Sequence, residues 1–253
     1  MLVASDLDGT LLTKDGRLPE GTFDMIRELK EKGIAFAAAS GRQYANMRRL
    51  FYPVRKDIYF ICENGSLLCR GEEAPEAAYI GEENAREAIR DLLSLGMQLL
   101  LSTPECTYCL PGCSAFTDDM FYRLRNNMAV VEDPYLFAGD YIKISGFRAD
   151  GVYGDVEPMR EKWKGILHAD AGGRDWLDLT PRDKADGLKA LCRREGIPLS
   201  DVMAFGDQQN DVAMLQAAGE PYLMENAPEQ VKAYGFPVCR SVPDKVRERL
   251  LQP

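Results

Sequence analysis

Two rhythms of apolar and polar positions run along the chain. Short, almost unbroken apolar runs at 1–5 (MLVAS), 34–39 (IAFAAA), 58–62 (IYFIC) and 202–205 (VMAF) read as strands buried on both faces. Between the first two, 19–33 predicts a helix. Phe23, Ile26 and Leu29 form its stripe, Pro19 suits its first turn and Gly33 ends it. Residues 44–51 predict a second helix. Asp15-Gly16, set between apolar-flanked arms at 11–18, predicts a small hairpin flap. Strand, helix, strand, helix, strand is the grammar of a parallel α/β sheet.

Near residue 79 the rhythm changes. A charge-rich helix at 84–96 precedes two adjacent strands, 98–102 and 106–110, that read as a hairpin. A helix at 114–128, a strand at 141–148, a helix at 156–164 and strands at 166–170 and 176–180 follow. Two αββ-like units separated by a helix predict an α+β insert, not a continuation of the first sheet. After 181 the first rhythm returns, with helices at 184–195, 211–218, 228–234 and from about 242, and strands at 202–205, 222–224 and 236–239. The predicted organisation is a core at 1–79, an inserted domain at 80–181 and a second core segment at 182–253, sizes normal for small domains.

Charge narrows the partners. The formal net charge is −9, and no basic face for nucleic acid is visible. No apolar run is long enough to span a bilayer, and no basic segment leads into a signal-like stretch, so a cytoplasmic protein without a membrane partner is expected. Seven cysteines without a secretory context predict reduced thiols. Any anionic substrate must find its positive partners in a local Lys, an Arg or a bound metal.

The candidate chemistry sits where strands end. In an open parallel sheet, ligands bind at the carboxyl ends of the strands. Here those ends carry Asp6 and Asp8, then Ser40, Asn64 and Asp207, with Asp211 across the turn that follows. Alternation along an extended chain would point Asp6 and Asp8 to one site and return Leu7 to the core. Gly9 lets the backbone leave the strand sharply. Asp side chains without His form a hard-ligand set that favours magnesium over zinc. Lys184 opens a helix in the second core segment and could reach the same edge, although a lone lysine there most often faces solvent. Cys106, Cys109 and Cys113 lack a nearby fourth ligand, so a zinc site is set aside, and His168 reads as structural or solvated, not catalytic.

DLDGT at 6–10, SGR at 40–42, Lys184 in KADGL and GDQQND at 206–211 resemble the four motifs of the haloacid dehalogenase superfamily. The insertion between the second and third motifs resembles the cap of its Cof-type, class IIB phosphatases. The resemblance implies a Rossmann-like core, a mobile cap, magnesium and hydrolysis of phosphomonoesters. It implies Asp6 as the nucleophile that forms an aspartyl-phosphate, and Asp8 as the general acid and then base. It implies Ser40 and Lys184 on phosphoryl oxygens, and magnesium on Asp6, the Asp8 carbonyl and Asp207, with Asp211 behind them. Gly9, Thr10, Gly41, Arg42 and Asn64 are further candidates for contact with substrate.

Three departures stand out: Ser40 where Thr is commoner, a shortened spacer before Lys184, and Glu225 in MENA where a small residue is usual. The expected protein hydrolyses small phosphorylated metabolites, sugar phosphates foremost, as a monomer or homodimer. The alternatives are a phosphomutase or phosphotransferase on sugar phosphates, and a catalytically silent phosphometabolite-binding module.

Overall fold

The structure, a computed structural model, describes residues 1–71 and 73–251. It divides into two compact units, one of Met1–Arg42, Met47–Pro75 and Asp183–Pro253, the other of Gln43–Asn46 and Glu76–Arg182.

In the first unit, the strands Val238–Cys239, Glu220–Met224, Val202–Gly206, Leu2–Asp6, Ala35–Ala39 and Tyr59–Cys62 lie side by side in that order and run parallel. Leu67–Arg70 pairs antiparallel with Tyr59–Cys62. The chain moves outward from Leu2–Asp6 on one side, then returns to build the other side from Val202–Gly206. The boundary between these two strands is therefore the switch point where open α/β sheets take their ligands. The register puts Asp6 opposite Ala39 and Ser5 opposite Phe205, so the first strand ends beside the second and fourth motifs.

Alternation fills both faces. Leu2 and Ala4 share one apolar cluster with Ala37, Ala39, Ile61, Val202, Ala204 and the helix Lys184–Glu195 through Ala185, Leu188 and Leu191. By the same alternation, Val3, Phe36, Ala38 and Phe60 point the other way. There Phe51 packs tilted against Phe36 and edge-on against Phe60, with ring centroids 6.2 and 6.0 Å away. The helix Thr22–Glu31 buries Met25, Ile26 and Leu29. Each fully buried side chain of this size contributes about 1.5–3 kcal/mol.

Several expected elements are corrected. The first helix begins at Thr22, after Gly21 in a left-handed conformation, so Pro19 lies outside it. Residues 11–18 form no strand pair. Thr13 N–H donates to the Arg17 carbonyl at 2.9 Å and closes a tight loop instead. Leu67–Arg70 was not anticipated, although Asn64-Gly65 between apolar runs is a hairpin signal.

In the second unit, the strands His168–Ala171, Trp176–Thr180, Lys143–Phe147, Gln98–Ser102, Thr107–Cys109 and Met128–Val130 form one sheet in that order. All pairs are antiparallel except the last. Leu99, Leu101, Ile144, Leu177 and Leu179 line one face and pack with Ala85, Ile89 and Leu92 of the helix Glu82–Ser94. The hairpin expected at 98–110 forms. The helix expected at 114–128 does not run through, because helical turns end at Arg123 and Met128–Val130 is a strand at the sheet's edge. Cys109 and Cys113 pack with Leu100 and Phe116. Among the described residues, no helix is long and apolar enough to cross a membrane.

Candidate active site

The switch point gathers a buried cluster of charge. Asp6 closes the central strand and is 4% exposed. Lys184 Nζ donates to Asp6 Oδ1 at 2.7 Å and to Asp211 Oδ1 at 2.6 Å, and both contacts are buried. The shortened spacer does not displace Lys184. An Asp183–Asp186 capping box starts its helix, with Asp186 N–H on Asp183 Oδ1 at 2.7 Å. The helix then seats on the 63–65 turn by a close approach of two glycines. A Cβ on Gly65 would lie 2.0 Å from the Asp183 carbonyl oxygen, and one on Gly187 would lie 2.8 Å from Gly65 Cα.

Asp211 spends its second oxygen on the loop. Oδ2 accepts the backbone N–H groups of Asp207 and Gln208, each at 3.0 Å. Asp207 is held in turn: Thr10 Oγ1 donates to its Oδ1 at 3.0 Å, and Gln208 Nε2 and Asn226 Nδ2 donate to its Oδ2 at 3.0 and 3.3 Å. Asn226 also donates to the Gly9 carbonyl at 2.9 Å. Gly9 takes φ +85°, and a Cβ there would fall 2.3 Å from Asp207 Oδ2. The backbone of the first motif can approach Asp207 only because that side chain is missing.

Electrostatics mark the cluster as unbalanced. Burial, above all, lifts the Asp6 pKa to about 8; Lys184 pulls it down, while Asp211 and Asp207 push it up. Burial raises Asp207 as well, with Asp211 adding to it. Burial alone would discharge Lys184, but Asp211 and Asp6 hold its pKa above the ordinary lysine value. Asp6, Asp207 and Asp211 each offer an oxygen within 4.8 Å of the others. With all three carboxylates ionised, one ammonium leaves two negative charges in excess, which a divalent cation would cancel. The donors are all hard oxygens, so the residues present fit magnesium.

Asp8 stands outside this buried group. The strand stops at Asp6, and the chain then turns through Leu7–Leu11. The expected alternation therefore reaches Leu7, which is buried, but not Asp8, whose side chain is 58% exposed. Arg42 grips Asp8 through both oxygens, Nε to Oδ2 at 2.7 Å and Nη2 to Oδ1 at 2.5 Å. Ser40 is buried at the end of the neighbouring strand, and its Oγ accepts the Arg42 N–H at 3.2 Å. Gly41 lies against Asn64, whose Oδ1 is 2.9 Å from where a Gly41 Cβ would be.

A sequence model of the haloacid dehalogenase-like hydrolases matches residues 3–244. The chain belongs to this family. The Cof-type resemblance read from the motifs stands with it. Similar proteins include the HMP-PP phosphatase of Yersinia pestis (strain Pestoides F), 28% identical over 91% of this chain and 86% of that one. The 5-amino-6-(5-phospho-D-ribitylamino)uracil phosphatase YbjI of Escherichia coli K12 is 28% identical over 92% of this chain and 88% of its own. A crystal structure from Streptococcus mutans, 24% identical, superposes with a TM-score of 0.89 over 99% of both chains. That likeness shows the fold.

The hydrolase thus brings Asp6, Lys184, Asp207 and Asp211 into one buried cluster. It sets Thr10 and Gly9, expected near substrate, against Asp207. Asn226 and Gln208 were missed as members of the site. MENA had drawn notice for Glu225, yet the neighbouring Asn226 is the residue that reaches Asp207. Glu225 itself is half-exposed and pairs with Arg240 at 3.1 Å.

Proposed function

We propose that this hydrolase is a magnesium-dependent phosphomonoesterase acting on small phosphorylated metabolites, sugar phosphates foremost. The carrying observation is Asp6 at the end of the central strand, buried and in contact with Lys184, with Asp207 and Asp211 close by. Two relatives named as phosphatases of small molecules support the substrate class. In this reading residues 80–181 form the inserted cap that selects substrate, while 1–79 and 182–253 carry the chemistry.

An Asp6 oxygen attacks phosphorus. The ester P–O bond breaks with its electron pair on the departing alkoxide, and Asp8 supplies that oxygen with a proton. Water then attacks the aspartyl-phosphate and gives its proton to Asp8, and the Asp6–phosphorus bond breaks to release inorganic phosphate. Lys184 neutralises a phosphoryl oxygen and lowers the charge on Asp6, and Ser40 donates to another phosphoryl oxygen. Asp6, Asp207 and the Asp8 carbonyl, with Asp211 behind, would hold magnesium, which would supply the positive charge that the carboxylate cluster lacks. Asp211 fixes the Lys184 ammonium and the Asp207 backbone at once.

The test is phosphate release from p-nitrophenyl phosphate in the presence of magnesium. The wild-type protein is expected to turn over and Asp6→Asn to be inactive. Equal rates in the two proteins would refute the nucleophile assignment.

A further inference from the structure

We propose that Arg42 is the positioning residue for Asp8, fixing the carboxyl that serves as general acid and base, and that it is not chiefly a substrate ligand. The inference rests on the phosphatase reading above.

Arg42 meets Asp8 fork to fork, with two near-parallel N–H donors on two carboxylate oxygens at 2.7 and 2.5 Å. This arrangement fixes the plane of the carboxyl as well as its place, which a single ammonium contact cannot do. The two partners are unequally anchored. The Arg42 side chain is 14% exposed and the Asp8 side chain 58%. Arg42 is also held at its backbone, where its N–H donates to Ser40 Oγ at 3.2 Å and its carbonyl accepts the Glu63 N–H at 3.2 Å. Asp8 has left the strand and precedes Gly9 at φ +85°. The well-anchored residue therefore orients the poorly anchored one.

The contact leaves Asp8 able to work. A carboxyl has about four lone-pair sites, and the fork occupies two. The proton occupies one that remains free. It passes to the alkoxide as the ester bond breaks, and the attacking water replaces it.

Leaving-group chemistry separates this role from others. p-Nitrophenolate departs without a proton, whereas the alkoxide of a glycerol or hexose phosphate needs one. The quantity to compare is kcat/KM, which covers steps only through phosphoryl transfer to Asp6. Arg42→Ala is expected to lose about 10- to 100-fold on the alkyl ester but about threefold or less on p-nitrophenyl phosphate, a fraction of the usual general-acid contribution. Arg42→Lys keeps charge without the fork and is expected to show the same split in smaller measure, so the test survives an alanine variant that fails to fold. In an Asp8→Asn background, Arg42→Lys is expected to add no further loss on the alkyl ester. Equal losses on both esters, whether through KM or through kcat, would overturn the assignment. Wild-type protein inactive on both esters overturns the phosphatase reading and this assignment with it. Active wild-type protein whose Arg42 variants lose both esters equally overturns this assignment alone.

Discussion

Lys184→Met removes the ammonium that bridges Asp6 and Asp211. The contacts are 2.7 and 2.6 Å, and the three side chains are 3%, 6% and 0% exposed, so solvent screens little. At an effective dielectric near 20 each contact is worth about 6 kcal/mol of gross Coulomb attraction. Desolvation of the ions offsets most of that, and breaking such a buried pair costs about 3–5 kcal/mol net. The variant escapes part of this cost by taking up a proton. Asp6 already sits at about 8 with Lys184 present, and without it the value rises further. Its nucleophile is then held as a neutral carboxyl to higher pH than in wild-type protein. We expect kcat/KM to fall by at least about 10²–10³-fold, the usual loss for one such electrostatic group. Stability gives a second readout. In metal-free wild-type protein the Asp6 pKa is raised from 3.8 to about 8, so the folded chain keeps a proton that the unfolded chain releases. That stability is fully present below the unfolded value and is lost as pH rises through the folded one. Thermal midpoints in EDTA should therefore decline between about pH 4 and 8 in wild-type protein, a window taken from that shift. The decline should extend to higher pH in Lys184→Met and shrink when magnesium is added to wild type. A variant within about threefold of wild-type kcat/KM, with an unchanged pH dependence of its midpoint, would refute the reasoning, since one pKa unit corresponds to about 1.4 kcal/mol.

Two further substitutions probe the frame around the cluster. Asp207→Asn keeps an oxygen to accept from Thr10 but removes charge, and should raise the magnesium needed for half-maximal activation at least about tenfold. The same weakening should appear in magnesium-dependent thermal shifts, and an unaltered magnesium response would exclude Asp207 as a ligand. Gly65→Ala places a Cβ 2.0 Å from the Asp183 carbonyl at φ +100°, so the helix carrying Lys184 must shift. We expect a loss of about 1–3 kcal/mol in urea unfolding together with lower activity. An unchanged midpoint would show that this contact yields freely.

The strands that build the core were legible because parallel strands buried on both faces must be apolar throughout. IAFAAA and VMAF could hardly sit elsewhere. The helix over Lys184–Glu195 was placed to the residue, since Asp183 and Asp186 cap its start and Gly196 ends it. Elements without such local punctuation were misjudged. Gly21 starts a helix that Pro19 was expected to open, and polar residues 125–127, with Arg125 at φ +53°, break a run that looked helical. Met128–Val130 is a strand because a neighbour accepts it in parallel, a long-range decision that three residues cannot announce.

Residue identity and spacing along the chain determined which groups this hydrolase has to work with: carboxylates after strands, a lysine at a helix start, and glycines where backbone must pass closely. Tertiary structure alone decided which partner each group takes. Asp6 and Asp8 are two residues apart, yet one is buried against Lys184 from far along the chain and the other is held by Arg42. The physical reason is that strand order and register are set by packing across the whole sheet. A hydrogen bond between side chains 178 residues apart exists only once that packing has brought their strand and helix ends together.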